Sequence, residues 1–192
     1  AMPLVNGFGY FRALFSQIHE DWEVHYRDWT LPGFRALAVY RFGAMLKDRR
    51  SGVVCRLLSI LYRAMYRYIR NHYGIELPDR TIVGRRLLIG HQSGIVIHWD
   101  AEFGDDCVVR QNVTIGMVNE VRYKGAKIGH RVDIGAGAII VGGVTIGDDV
   151  QIGPNAVVMT DVPAGATVFV AAPRMIQMRK AQENKIGSQE AS

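Results

Sequence analysis

Residues 126–158 have the sequence AKIGHRVDIGAGAIIVGGVTIGDDVQIGPNAVV, in which an apolar branched residue returns at every sixth position. The members of this series are Ile128, Ile134, Ile140, Ile146, Ile152 and Val158. An earlier series with the same spacing consists of Leu77, Val83, Ile89, Ile95, Ala101, Cys107 and Val113. An α-helix repeats about every 3.6 residues and a strand about every two, so neither alone explains a sustained period of six.

A period of six predicts a mainly β chain that forms a parallel β-helix, with three hexads in each triangular coil. The residue at each sixth position then points into the narrow axis, and its neighbour on the same face comes about 18 positions later. Leu77, Ile95 and Val113 are therefore expected to stack. Glycine follows many of these inward residues, where it permits a tight corner.

One step between the two series has an irregular length. The step from Val113 to Ile128 is not a whole number of hexads, which would place the two residues about 12 or 18 positions apart. Residues 114–127 are therefore expected to include a loop that leaves the prism. Loops on a rigid scaffold often carry function.

The chain before the repeats has helical spacing, which predicts helices over residues 33–48 and 52–72 that cap the open end of the first coil. The second helix has four arginines on one face, namely Arg56, Arg63, Arg67 and Arg70. That face is either a solvated side of the helical cap or a contact for peripheral association with an anionic membrane. The predicted organisation is an N-terminal helical segment (1–73), a β-helix domain (74–171) and a basic tail (172–192).

Length, charge and cysteine content narrow the class of protein. The 192 residues suit one domain with a small appendage, and the net charge of +5 is mildly basic. No basic stripe with stacking aromatics is present in the repeats, so nucleic-acid binding is not expected. Two cysteines form neither a disulfide framework nor a metal-binding spacing, so no metal is expected. Together with the lack of a recognisable signal peptide, this predicts a cytoplasmic protein.

Several motifs resemble the serine O-acetyltransferase branch of the hexapeptide-repeat acyltransferases. They are GIELP at 74–78, GHQSGIVI at 90–97, VTIG at 113–116, IGAGA at 134–138 and DVPAGA at 161–166. The resemblance implies a left-handed β-helix, a homotrimer with active sites at the subunit interfaces, and acetyl-CoA bound in the groove between neighbouring prisms. The short helical segment favours a trimer over a dimer of trimers.

The resemblance also implies a catalytic pair, with His91 as the general base and Glu76, which precedes it in the chain, as its carboxylate partner. An alcohol is a poor nucleophile near neutral pH, and a neutral imidazole can accept its proton as it attacks a thioester. A carboxylate on the other ring nitrogen would fix the tautomer. The alternative is that His91 is a surface histidine at a β-corner.

The same resemblance gives candidates for binding the co-substrate and the acceptor. The acetyl-CoA candidates are Gly116, Gly135, Ala136, Gly153, Pro154, Arg174 and Lys180, with Arg179 as a further cation. The alternative is that the glycines serve the turns alone and that the basic tail is solvated. The acceptor candidates are Gln92, which is also a candidate oxyanion donor, His98, for which a structural role competes, and Lys124.

The chain departs from the family at the end of the irregular loop. In serine acetyltransferases an arginine and a histidine there help to hold the amino acid, whereas this chain has Lys124 and Gly125 at those positions. Lysine attracts a carboxylate but lacks the bidentate fork of arginine. This pattern favours a sugar or exopolysaccharide hydroxyl as acceptor, with serine as the alternative. A third hypothesis, from another class, is a trimeric scaffold without catalytic activity.

Overall fold

The computed structural model describes residues 7–47, 52–117 and 124–171 of the chain. Within the described residues three helices precede the repeats: α1 (Gly7–Val24), α2 (Pro32–Lys47) and α3 (Val53–Tyr73). The predicted helices over 33–48 and 52–72 are confirmed as α2 and α3, apart from residue 48, which lies outside the described residues. Helix α1 falls in the part of the predicted helical segment (1–73) where no separate helix was given bounds. Helix α3 ends at Gly74, whose left-handed conformation (φ 63°) lets its N–H donate to the carbonyl of Arg70.

Fourteen strands of two or three residues follow within the described residues. They are β1 (Ile75–Glu76), β2 (Ile82–Val83), β3 (Leu88–Ile89), β4 (Ile95–Ile97), β5 (Glu102–Phe103), β6 (Val108–Val109), β7 (Thr114–Gly116), β8 (Lys127–Ile128), β9 (Asp133–Ile134), β10 (Ile139–Val141), β11 (Thr145–Ile146), β12 (Gln151–Ile152), β13 (Val157–Val158) and β14 (Thr167–Val168).

The strands form three parallel sheets, and the chain visits them in rotation. Sheet A has the order β1-β4-β7-β10-β13, sheet B has β2-β5-β8-β11, and sheet C has β3-β6-β9-β12-β14. Each circuit of the chain therefore adds one strand to each face of a triangular prism. The predicted parallel β-helix is confirmed.

The core of the prism contains two inward positions in each hexad rather than one. Ile134 and Ile140 are fully buried, and so are Val132 and Ala138, which lie two residues before them. In an extended segment, residues two apart point to the same side of the backbone. Each hexad therefore gives the axis one side chain from the strand and one from the preceding corner.

The predicted stacking is confirmed for Ile95 and Val113, which are in register. It is wrong for Leu77, because the first coil is longer than a regular one. Ile95 pairs with Ile75 rather than with Leu77, so the first coil contains two residues more than three hexads require. The pairing of Ile128 with Ile146 shows the regular length, since it joins residues separated by three whole hexads. The two additional residues lie in the corner formed by residues 90–94. Each hexad has two inward apolar positions, which are two residues apart. A shift of two residues exchanges them, so the spacing of six continues unbroken in the sequence.

A larger insertion separates the second and third coils. Phe103 pairs with Ile128, and these positions are seven residues further apart than the ends of a regular coil. The insertion falls between Gly116, the last residue of β7, and Lys127, the first residue of β8. The expected loop is confirmed by this register, although its residues 118–123 lie outside the described residues.

Glycine at one column of corners is required by the approach of consecutive coils. A Cβ atom on Gly104 would lie 2.6 Å from the carbonyl oxygen of Gly129, and a Cβ on Gly129 would lie 2.8 Å from the nitrogen of Asp148. Real Cβ atoms do not approach backbone this closely, so a side chain would force the coils apart. Close backbone contact, rather than unusual dihedral angles, therefore explains these glycines.

The first coil would expose unpaired strand groups, and side chains of the helices cover them. The Tyr40 hydroxyl accepts the N–H of Val83 at 3.2 Å and donates to the carbonyl of Thr81 at 2.8 Å. The Arg41 guanidinium donates to the carbonyls of Val83 and Gly84. Helix α2 thus replaces the missing strand beside β2, and the predicted capping by the helical segment is confirmed.

A buried ion pair joins helix α1 to this cap. Asp21 is fully buried and Arg41 is almost so, and their side chains meet at 2.8 Å. Burial raises the pKa of Asp21 even though the guanidinium of Arg41 opposes that shift. The charge of Asp21 is thus maintained by Arg41, and neither residue is easily removed alone.

His25 completes the cap beside β3. Its Nε2 accepts the N–H of Ile89 at 3.2 Å, and its Nδ1–H, assigned from this network, donates to the carbonyl of Asp21 at 2.5 Å. Both nitrogens are used in the neutral form, so a second ring proton would break the bond to Ile89. Burial accordingly lowers the pKa of His25 below its ordinary value near 6.5.

Acidification is expected to destabilise the protein through His25. The unfolded chain binds a proton near pH 6.5 and the folded chain does not, so the free energy of unfolding falls as the pH drops below about 6.5. Urea unfolding at pH 7.5, 6.5 and 5.5 measures this fall, which should be smaller in His25→Gln. Asp21, whose pKa is raised, acts in the opposite direction in both proteins. Equal falls in both would contradict the role of His25.

No helix among the described residues is long and apolar enough to cross a membrane.

Candidate active site

His91 lies in the expanded corner between β3 of sheet C and β4 of sheet A. The end of this corner is fixed, because the N–H of Ser93 donates to the carbonyl of Tyr73 and the N–H of Ile95 donates to that of Gly74. The beginning of the corner is exposed and includes His91 and Gln92. His91 forms no hydrogen bond or ion pair with any residue that the structure describes. Its imidazole is therefore available to a ligand.

Glu76 lies on β1, at the same end of sheet A as this corner. Its strand partner is Val96, and Tyr66 on α3 lies near its carboxylate. Burial, together with the nearby charge of Glu76, raises the pKa of Tyr66 to about 12, so the phenol stays protonated. Within the described residues no ion pair joins Glu76 to His91. The predicted partners thus share one end of the prism, and no hydrogen bond or ion pair joins them among the described residues.

The corners between sheets C and A stack into a continuous ridge, which we call the C/A edge. Its segments are residues 90–94, 110–113, 135–138 and 153–156. Backbone hydrogen bonds join them in order: Asn112 N–H donates to Ser93, Gly137 N–H to Gln111, and Asn155 N–H to Ala136. The first and last corners are three coils apart, which is about 14 Å at the usual strand spacing.

Four of the acetyl-CoA candidates, Gly135, Ala136, Gly153 and Pro154, lie on the C/A edge, with His91 at its beginning. An extended co-substrate could therefore follow the edge and present its thioester near His91. Gly135 also has a packing role, because a Cβ there would lie 2.7 Å from the carbonyl oxygen of Ile152. Arg174, Arg179 and Lys180 lie outside the described residues.

Gly116 lies on a different ridge, the A/B edge, where corners join sheet A to sheet B. This edge includes residues 98–101, the described ends of 117–126, and 142–144. Among the described residues, a Cβ on Gly116 would meet nothing closer than the Thr114 side chain at 4.0 Å, so contact with them does not require glycine there.

The acceptor candidates His98 and Lys124 also lie on the A/B edge. The Nδ1 of His98 accepts the N–H of Asp100 at 3.2 Å, while its buried Nε2 has no partner among the described residues. Lys124 is exposed. The N–H of Gly125 donates to the Asp100 carboxylate at 3.0 Å, and a Cβ on Gly125 would overlap the backbone oxygen of Asp100. The loop end therefore has no room for a side chain at position 125.

The predicted acceptor residues are thus divided between two edges of one chain. Gln92 lies on the C/A edge, and His98 and Lys124 lie on the A/B edge. Sheet A separates the two edges, and its three-residue strands are about 10 Å long. A single chain does not bring these side chains together around one acceptor.

Sequence reasoning missed two polar residues at the site. Tyr66, which lies near Glu76, is on a helix outside the repeats. Gln111 lies on the C/A edge beside the His91 corner, and its buried Oε1 has no hydrogen-bond partner among the described residues. A polar residue shortly before an inward valine was the only signal for Gln111, and most corners share that pattern.

Comparisons with known proteins identify the class. A family model described as bacterial transferase hexapeptide (six repeats) matches residues 125–160. The serine acetyltransferase of Helicobacter pylori strain J99 is 39% identical over 148 residues, which cover 76% of this chain and 81% of that protein. The chain therefore belongs to the hexapeptide-repeat acyltransferases. Within them it falls in the serine O-acetyltransferase-like branch, whose chemistry is acetyl transfer and whose co-substrate is acetyl-CoA.

Two further matches bear on the fold and the acceptor. A crystal structure of serine acetyltransferase isoform 3 from Entamoeba histolytica, in complex with cysteine, superposes with a TM-score of 0.73. The two chains are 24% identical, and the superposition covers 90% of this chain and 63% of that one. At this identity the match supports the left-handed β-helix fold alone. A putative colanic acid biosynthesis acetyltransferase WcaB of Escherichia coli K12 is 34% identical over 98 residues, covering 50% of this chain and 60% of that protein.

Proposed function

We propose that this protein transfers the acetyl group of acetyl-CoA to the hydroxyl of serine, with His91 as the general base. One observation carries the proposal: an exposed histidine, without a partner among the described residues, stands at the beginning of a long open edge. The relative from Helicobacter pylori, which is named as a serine acetyltransferase, supports serine over the sugar that the loop alone favoured.

In the proposed step the neutral imidazole of His91 accepts the proton of the acceptor hydroxyl. The hydroxyl oxygen attacks the thioester carbonyl, a new C–O bond forms, and the C–S bond to CoA breaks. The proton held by His91 then passes to the departing thiolate, which restores the neutral imidazole. Gln92, the exposed neighbour of His91, is the proposed donor to the carbonyl oxygen as negative charge develops there.

Glu76 is proposed to orient the imidazole. A carboxylate can accept several hydrogen bonds, so Glu76 could accept one from the neighbouring phenol of Tyr66 and another from the second ring N–H of His91. The exposed beginning of the His91 corner would allow the movement that this second bond needs. Tyr66 would keep the carboxylate in place while the histidine binds and releases ligands.

We also propose that the protein acts as a homotrimer whose sites lie between subunits. The division of Gln92 from His98 and Lys124 supports this arrangement. If the C/A edge of one protomer faced the A/B edge of the next, His91 would lie opposite Lys124. The serine carboxylate would then bind near the lysine while its hydroxyl reached the histidine.

A sugar hydroxyl is the second candidate acceptor, and the loop end favours it. Position 125, where the family has a histidine, is packed against Asp100 without room for a side chain. The resemblance to WcaB, a putative acetyltransferase of colanic acid biosynthesis, supports the same candidate. A polysaccharide acceptor has no carboxylate that must be bound at this point, so the absence of the arginine and histidine would not weaken its binding.

An acceptor screen with coupled detection of CoA release tests the choice. With L-serine we expect kcat/KM of about 10⁴ M⁻¹s⁻¹ or more, as for a dedicated enzyme. Lys124→Gln should raise KM for serine with little change in kcat, since lysine acts on the bound carboxylate. Serinamide, which lacks that carboxylate, is the control substrate. The wild type and Lys124→Gln should acetylate it with the same KM and kcat. Rapid turnover of a sugar with no turnover of serine would overturn the serine proposal in favour of the second candidate.

A further inference from the structure

Helix α3 presents an apolar face to the outside of the molecule as well as one to the core. Tyr62 and Ile69 are buried against the rest of the chain. Another face, which we call the α3 outer face, consists of Val53, Leu57, Ile60, Leu61, Ala64 and Tyr68. Val53 is 73% exposed, Leu57 62% and Ile60 59%. These positions recur at intervals of three and four, so they form one stripe about 22 Å long.

The arginines of α3 lie along one side of the α3 outer face. Arg56, Arg63, Arg67 and Arg70 are all exposed, and helical geometry places them together on one flank of the helix, next to the outer face. The helix contains neither aspartate nor glutamate. It therefore carries four positive charges beside an apolar stripe, with no acid of its own to neutralise them.

The other side of the α3 outer face continues into an apolar groove between α2 and α3. This groove has a volume of about 560 Å³, and Trp29, Phe34, Val39 and Tyr68 are among the residues that line it. The indole of Trp29 is 66% exposed, and the guanidinium of Arg35 lies 5.2 Å from its centroid. An exposed tryptophan beside a cation is typical of residues that lie at the level of lipid headgroups.

We propose that α3 binds in the plane of an anionic membrane surface, with the α3 outer face inserted among the lipids and the arginines in contact with their headgroups. The positive charge of α3 favours an anionic membrane over a second copy of the chain as the partner of the α3 outer face. A second copy would bring further arginines from the same helix and no carboxylate from it. Anionic headgroups supply the missing negative charge along the whole arginine row.

Co-sedimentation with vesicles tests the proposal on the full chain. Wild-type protein is expected to bind phosphatidylcholine vesicles that contain roughly one part in three of phosphatidylglycerol more strongly than vesicles of phosphatidylcholine alone. Arg56→Gln combined with Arg67→Gln should weaken binding to the anionic vesicles by about 25-fold, at about fivefold for each arginine near a charged surface. Leu57→Ser combined with Ile60→Ser should abolish binding, because the insertion loses two of its largest apolar side chains.

Matched controls keep the result specific. Lys127→Gln removes an exposed cation from sheet B, and Phe169→Ser removes an exposed apolar residue from the far end of the prism. Both should bind vesicles as the wild type does. Equal binding by the wild type and the two α3 double variants, or no binding by the wild type, would overturn the proposal.

The mass of each protein in solution without lipid, measured by light scattering, tests the other occupant. If lipid is what covers the α3 outer face, the Leu57→Ser/Ile60→Ser variant should have the same mass as the wild type. A smaller mass would show that a second copy covers the α3 outer face and would overturn the membrane assignment.

Discussion

His91→Ala is expected to lower kcat/KM for acetyl transfer by between about 10²- and 10⁴-fold, the usual contribution of a positioned general base. The loss should fall mainly on kcat, because the imidazole takes a proton in the reaction itself rather than in binding. The thermal midpoint should stay unchanged, since His91 is exposed and contacts no described residue through a hydrogen bond. Steady-state assays of CoA release, together with a melting curve, measure both quantities.

His19→Ala is the matched control for this variant, because His19 is an exposed histidine on α1 whose ring lies 3.8 Å from Glu23. Its activity should equal that of the wild type. Full activity in His91→Ala would exclude the proposed mechanism. The absence of activity in the wild type with every acceptor and with water would instead favour the scaffold hypothesis.

Asp21→Ala is expected to produce the largest loss of stability, about 3–5 kcal/mol in the free energy of unfolding. The substitution leaves the guanidinium of Arg41 buried without its carboxylate, and Arg41 also donates to the carbonyls of Val83 and Gly84 at the open end of the prism. One change would therefore weaken the packing of α1 and the cover of the first coil together. Urea unfolding near pH 7 measures the effect.

Asp106→Asn provides the comparison, because Asp106 pairs with Arg86 at an exposed corner. Exposed ion pairs contribute less than about 1 kcal/mol, so this variant should unfold nearly as the wild type does. Asn also tolerates the left-handed conformation of position 106. Equal losses in the two variants would contradict a special role for the buried pair. If Asp21→Ala fails to fold, Asp21→Asn, which retains an acceptor for Arg41, should show an intermediate loss.

The prism could be predicted from the sequence because its core imposes one simple spacing, but the register could not. Ile75 and Leu77 are both apolar and both point inward, so a shift of two residues leaves no trace in the hydrophobic pattern. The bounds of helix α1 were not predicted, for a different reason. It has no strong periodicity, and its contacts with the rest of the molecule include the polar pair of Asp21 with Arg41.

The sequence could predict that a single residue lies on a corner, because the corner follows an inward position. It could not predict which residues from different corners lie close together. His91 follows Ile89 by two residues, so its place on a corner followed from the spacing. The spacing does not state which of three edges a corner occupies until the register is known. The separation of Gln92 from Lys124 and the position of Tyr66 near Glu76 therefore required the three-dimensional structure.

The expanded corner at 90–94 also bears on how new specificities could be engineered. Two residues have been added there, and the alternation of inward and outward side chains in β4 is unaffected because that alternation has a period of two. The length of a corner can thus change without changing which side chains fill the interior of the prism. Loop segments grafted at these ridges could reshape substrate choice while the same interior is retained.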